Sequence, residues 1–112
     1  MPMRMTEQVY LVLLALADGP RHGYAIVQEV EALSGGAMRL GAGTLYGLLD
    51  RMLTAGLVAP RGEEVVDGRL RRYYGLTDDG GAAVAAETQR LHALARRAQV
   101  RLAGRPALGG AS

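Results

Sequence analysis

Four stretches of the chain place apolar residues at helical spacing, and two short ones place them as strands do. Between Thr6 and Ala17, Val9, Leu13 and Leu16 recur at steps of four and three, and Leu11, Val12 and Leu14 widen the face. The pattern predicts a helix buried on more than one side, with Thr6 as its N-cap. Asp18-Gly19-Pro20 then breaks it in a turn. A second helix is predicted from Gly23 to Leu33. Tyr24, Ile26, Val27, Val30 and Leu33 supply its apolar positions, Gln28, Glu29 and Glu31 its wet ones, and Ser34-Gly35-Gly36 its stop. A third is predicted from Ala42 to Ala55. Its stripe is Leu45, Leu48, Leu49, Met52 and Leu53, while Gly43, Tyr46, Gly47, Asp50, Arg51 and Thr54 lie mostly on the other side.

Leu57–Arg61 and Leu70–Leu76 read as two strands, with the hairpin signal Asp67-Gly68 between them. Thr77-Asp78-Asp79 opens a last helix with carboxylates at its positive end. It is expected to reach about Leu102, roughly 37 Å at about 1.5 Å per residue, which is longer than so small a body covers. Gly104 to Ser112 holds Gly, Pro and Ala and reads as a disordered tail. The expected fold is mainly α with a small β-hairpin. A winged helix-turn-helix would occupy residues 1–76, a C-terminal dimerisation helix 77–103, and the tail 104–112.

Composition narrows the function classes. The 112 residues suit one domain, and an apolar share of 49% excludes a disordered chain. All 13 residues in the Lys and Arg count are arginine, yet the formal net charge is only +2, so any nucleic-acid surface must come from local clustering. Cysteine is absent, which removes disulfides, thiolate metal sites and thiol nucleophiles and suits a reducing cytoplasm. No apolar run reaches membrane-spanning length, and the N-terminus carries no signal-peptide pattern. Lysine is missing too, the two serines are Ser34 and Ser112, and no phosphate-binding glycine motif occurs. An enzyme is not expected. The two histidines, His22 and His92, lie far apart with no supporting cluster, so neither a metal site nor a cofactor is expected. His22 instead suits a polar bond at the start of the second helix.

Three arginines, Arg69, Arg71 and Arg72, fall within four residues beside the hairpin turn. Alternation sends Arg69 and Arg71 to one face and Arg72 to the other. Guanidinium groups match phosphate oxygens; equally, the arginines suit a solvated hairpin paired with Glu63 and Glu64. Tyr46 lies off the leucine stripe, which favours surface contact over core packing. Arg51 lies on the outer side too, where it suits a local ion pair or a structural bond ahead of a DNA contact. Tyr73 and Tyr74 point to opposite faces, so one belongs to the core.

His22-Gly23-Tyr24-Ala25-Ile26, Gly43-Thr44-Leu45-Tyr46 with Leu49 and Arg51, Gly56-Leu57-Val58, Gly68-Arg69 with Arg71-Arg72-Tyr73-Tyr74, and Leu76-Thr77 with Gly80 occur in this order. Together they resemble the PadR family of transcriptional regulators over about residues 5 to 81. The resemblance implies a homodimeric winged-helix repressor of double-stranded DNA, often responsive to a small-molecule inducer. It implies that Thr44 and Tyr46 meet DNA backbone or base edges, and that Arg69, Arg71 and Arg72 meet phosphates. The chain departs at Gly47, where relatives commonly carry a proline suited to a first helical turn.

The last helix carries a loose heptad seam: Val84, Thr88, Leu91, Ala95, Ala98 and Leu102, with Leu94 beside it. One reading packs this seam on the first helix of the same chain; the helix length favours a second copy as its partner. Duplicating a weak DNA contact in one dimer makes the second contact intramolecular and implies an inverted-repeat operator. The alternative is a winged-helix module that binds protein and has no specific DNA contact.

Overall fold

The computed structural model describes residues 3–106; the expected tail lies outside them from residue 107 onward. The order is α1 (Glu7–Ala15), β1 (Arg21–His22), α2 (Gly23–Leu33), α3 (Ala42–Thr54), β2 (Val58–Val66), β3 (Arg69–Leu76) and α4 (Asp78–Ala103). This is a three-helix body with a small antiparallel sheet and one long final helix, the expected winged helix.

α1 begins where Thr6 accepts a bond from the Val9 amide at 3.2 Å. Val9, Leu11, Val12, Leu13 and Ala15 are all buried, so this helix is the centre of the core. Arg21 closes the far end, its Nε donating to the Ala15 carbonyl at 2.8 Å while its Nη2 reaches both Asp18 and Glu29. Ile26 and Val30 of α2, Leu45, Leu48, Leu49 and Met52 of α3, Val58, Tyr74 and Val84 complete the core. The apolar assignment of α2 needs correcting at two places. Tyr24 is 67% exposed and Leu33 is 43% exposed, because the helix buries only the Ile26–Val30 side.

The hairpin is longer than its apolar residues suggest. β2 continues through Arg61-Gly62-Glu63 to Val66, past its expected end. Pairing shifts between Pro60 and Glu63: Pro60 faces Tyr74 and Glu63 faces Arg72, so β2 holds one extra residue there. Gly62, at φ 103°, supplies the bulge. The turn is Asp67-Gly68 at φ 52° and 76°, the mirror-image turn that matches strand twist. Pro60 is tolerated because β2 is an edge strand, the sheet order being β1-β3-β2. β1 was not foreseen; a two-residue strand, pairing Arg21 with Tyr74 and His22 with Tyr73, has no periodicity to read.

The junction into α4 is tightly built. Thr77 accepts from the Gly80 amide at 3.0 Å and donates to the Gly56 carbonyl at 2.6 Å. A Cβ on Gly80 would run into the Leu57 carbonyl, so only glycine lets α4 start this close to the α3–β2 loop. α4 spans 26 residues and carries the molecule to 63 × 28 × 23 Å. Among the described residues no helix is long and apolar enough to cross a membrane.

Candidate nucleic-acid interface

Tyr46 and the hairpin arginines meet in one groove. His22, Gly23, Tyr24, Tyr46, Arg69, Leu70, Arg71 and Arg72 line a concavity of about 450 Å³ between the start of α2, α3 and β3. Tyr46 is half exposed, as its place off the leucine stripe predicts. Its ring lies across Gly23, where a Cβ would come within 2.9 Å of Cζ and closer still to the hydroxyl. The glycine of His22-Gly23-Tyr24 thus admits Tyr46 to the groove.

β3 sorts the side chains by alternation. Tyr74 is the buried tyrosine; burial pushes its phenol above the usual range, and nearby Tyr46 and Asp50 act the same way against Arg72. Tyr73 is on the opposite face and donates to Glu64 Oε1 at 2.7 Å. That bond is the main reason its pKa is raised. The Tyr73 ring also meets His22 edge-on, with centroids 5.5 Å apart. His22 caps α2, Nδ1 accepting from the Ala25 amide at 3.4 Å, which is the polar bond expected of it. Desolvation first, and Arg71 second, lower its pKa, with Glu64 opposing them.

Both readings of the arginines find something in the structure. Arg72 pairs with Glu63 at 3.3 Å, but both side chains are well exposed, so the pair is weak and exchangeable. Among the described residues Arg69 and Arg71 enter no ion pair. The ion pair expected for Arg51 does not form among the described residues; its side chain is exposed and shares a cleft with Asp50 without pairing with it. Thr44 is exposed in the first turn of α3 and stands outside the groove lining. Gly41 caps α3 with no side-chain bond, leaving the first amides of that helix facing outward. Gly47 is the sixth residue of α3, in its second turn, so the first-turn role of a proline does not apply there. What glycine costs at that position is helix propensity. His22, Gly23 and Tyr24 were missed as groove residues. Their sequence signal was the His22-Gly23-Tyr24 motif of the family resemblance, which carries no information on which side chains share the groove.

The α4 seam divides. Val84 is buried in the core of its own chain. Thr88 donates to the Val84 carbonyl and bonds the Tyr10 hydroxyl, each at 2.7 Å, tying α4 to α1. From Leu91 onward Leu91, Leu94, Ala95, Ala98 and Leu102 are exposed. Among the described residues no His, Cys, Asp and Glu cluster suits a metal ion.

Three helices beside an arginine-bearing hairpin, joined to a long final helix, define the winged-helix class. Residues 12–86 match the model of the transcriptional regulator PadR-like family. "Transcriptional regulator Rv3488" of Mycobacterium tuberculosis is 40% identical over 85 residues, covering 76% of each chain. An "uncharacterized 37.1 kDa protein in transposon TN4556" of Streptomyces fradiae is 45% identical over 94 residues; that stretch is 84% of this chain and a quarter (25%) of the Streptomyces protein. The crystal structure of Bacillus subtilis PadR in complex with operator DNA shares the fold, with a TM-score of 0.65 at 20% identity, over 74% of this chain and 47% of that one. The chain belongs to the PadR-like family of transcriptional regulators.

Proposed function

We propose that this regulator binds double-stranded DNA as a homodimer, at an inverted-repeat operator in the cytoplasm, and represses until a small-molecule inducer releases it. The observation that carries the DNA reading is the shared groove of Tyr46, Arg69, Arg71 and Arg72. α3 enters the major groove with Thr44 and Tyr46 at backbone or base edges. The open amides at its start suit a phosphate. Arg69, Arg71 and Arg72 hold the flanking backbone, where fork-shaped donors fit phosphate oxygens.

Dimerisation rests on α4. Among the described residues the apolar positions beyond Thr88 stay exposed, and pairing Leu91, Leu94, Ala95, Ala98 and Leu102 with a second copy would bury them while duplicating the reading surface. Val84 and Thr88 serve the chain's own packing at the root of that seam. Half-sites are then set about one helical turn, roughly 34–36 Å, apart. An inducer bound between the two α4 helices would alter that spacing.

The test is affinity for the intergenic duplex beside its own gene, across a salt series. Replacing Arg69, Arg71 and Arg72 together with Ala is expected to weaken binding broadly and flatten the salt slope by up to about 0.9 per lost phosphate contact. Unchanged affinity removes the hairpin from the interface. A wild-type chain with no duplex binding at low salt returns the fold to the protein-binding alternative.

A further inference from the structure

Beside α3 lies a second cleft that shares no lining residue with the hairpin groove. Residues before α1 and along α3 enclose an open cleft of about 570 Å³, with Val9 and Leu48 at its floor and Arg4, Thr6, Gln8 and Arg51 among its polar walls. Arg4 and Arg51 are both exposed, and among the described residues neither enters an ion pair. Asp50 also borders the cleft. With one carboxylate, Asp50, against two guanidinium groups, Arg4 and Arg51, the lining keeps an excess of positive charge. Thr44, Gly47 and Arg51 follow one another at steps of three and four and share a flank of the helix. Arg51 stands about 140° around the helix from Tyr46, at about 100° per residue.

A helix in the major groove has a phosphate backbone on each side, about 12 Å apart. The hairpin arginines serve one side. We propose that Arg4 and Arg51 form a phosphate clamp for the other backbone, so that α3 is held from both flanks. This deepens, and rests on, the DNA-binding reading above. The ligand is the duplex sugar–phosphate backbone, contacted without regard to base sequence. Arg4 reaches it from the segment before α1, and Arg51 from the reading helix itself. Because Arg51 sits on the helix that enters the groove, the clamp also fixes how deeply that helix lies.

The experiment uses the full chain and a fluorescently labelled random-sequence duplex of about 30 base pairs, with anisotropy read from about 50 to 300 mM NaCl. Arg4→Gln and Arg51→Gln are each expected to flatten the log–log salt slope by about 0.9. That is about 3.5-fold less weakening between 50 and 200 mM for each contact removed. The double variant should lose both, Arg51→Lys should retain most of the slope, and Arg97→Gln on α4 should leave it unchanged. If Arg51→Gln unfolds by circular dichroism, Arg4→Gln, outside any helix, carries the test. A folded double variant with the wild-type slope overturns the clamp while leaving the hairpin reading intact. So does an equal loss from Arg97→Gln, which would mark a general charge effect. A wild-type chain that binds no duplex overturns both.

Discussion

His22 shows how one side chain can serve structure and surface together. Its Nδ1 caps α2, its ring edge meets Tyr73, and it lines the groove. The cap needs Nδ1 unprotonated. Burial and Arg71 lower its pKa from 6.5, so the folded chain favours the neutral ring. A depressed histidine pKa means the unfolded chain takes the proton first; stability is complete above about pH 6.5 and falls as pH drops below it. Thermal unfolding is expected to show Tm falling between about pH 7 and pH 5.5. His22→Asn, which can still cap a helix, should fall less over that range; an identical fall in both proteins would assign it to other groups. Such double duty explains what single positions reveal in the sequence. His22 and Tyr46 were readable because each violates a clean pattern. Tyr24 was read as core because a tyrosine at helical spacing looks apolar until the burial of its neighbours is known. Of the readings open for Arg51, the local ion pair is the one that does not form among the described residues.

Elements were legible where periodicity is long and obscure where it is short. The bounds of α2, α3 and α4 fall where their periodicity places them, and Asp67-Gly68 forms the expected turn. β2 was cut short at Arg61 because Gly62 resembles a break; its positive φ makes a bulge that lets the strand continue. Arg61 then folds back over Gly75, where a Cβ would meet its Cγ at 2.8 Å, and donates to the Leu76 carbonyl at 2.9 Å. The base of the hairpin is fixed by these local contacts. The Leu76-Thr77 and Gly80 motif likewise has a mechanical meaning beyond its family resemblance: it locks α4 against Gly56 and Leu57. Gly80→Ala is therefore expected to destabilise the fold by about 1–3 kcal/mol, the usual cost of overpacking, since the obstructing atom is a backbone carbonyl. Urea unfolding measures it, and a change below about 0.5 kcal/mol would mean the junction yields freely.

At the scale of the whole molecule, the long axis of 63 Å comes from α4, whose apolar residues change task along their length. Val84 stabilises the chain itself and Leu91 stands 37% exposed. Leu91→Asp is expected to give a folded monomer on sizing, because a carboxylate in a helix seam must be desolvated on assembly. Val84→Asp should instead unfold the chain. A fully dimeric Leu91→Asp protein would place the dimer contact elsewhere. The heptad in the sequence marks the apolar positions of α4 but not where packing within the chain ends, since the Tyr10–Thr88 bond joins residues 78 apart in the chain.

The reading surface and its duplication meet in one measurement, hydroxyl-radical footprinting of the intergenic duplex. The account predicts two protected patches on one face of the DNA, centred about one turn, roughly 34–36 Å, apart, with backbone protection fading when Arg69, Arg71 and Arg72 are replaced. A single patch, or protection indifferent to those arginines, would contradict it.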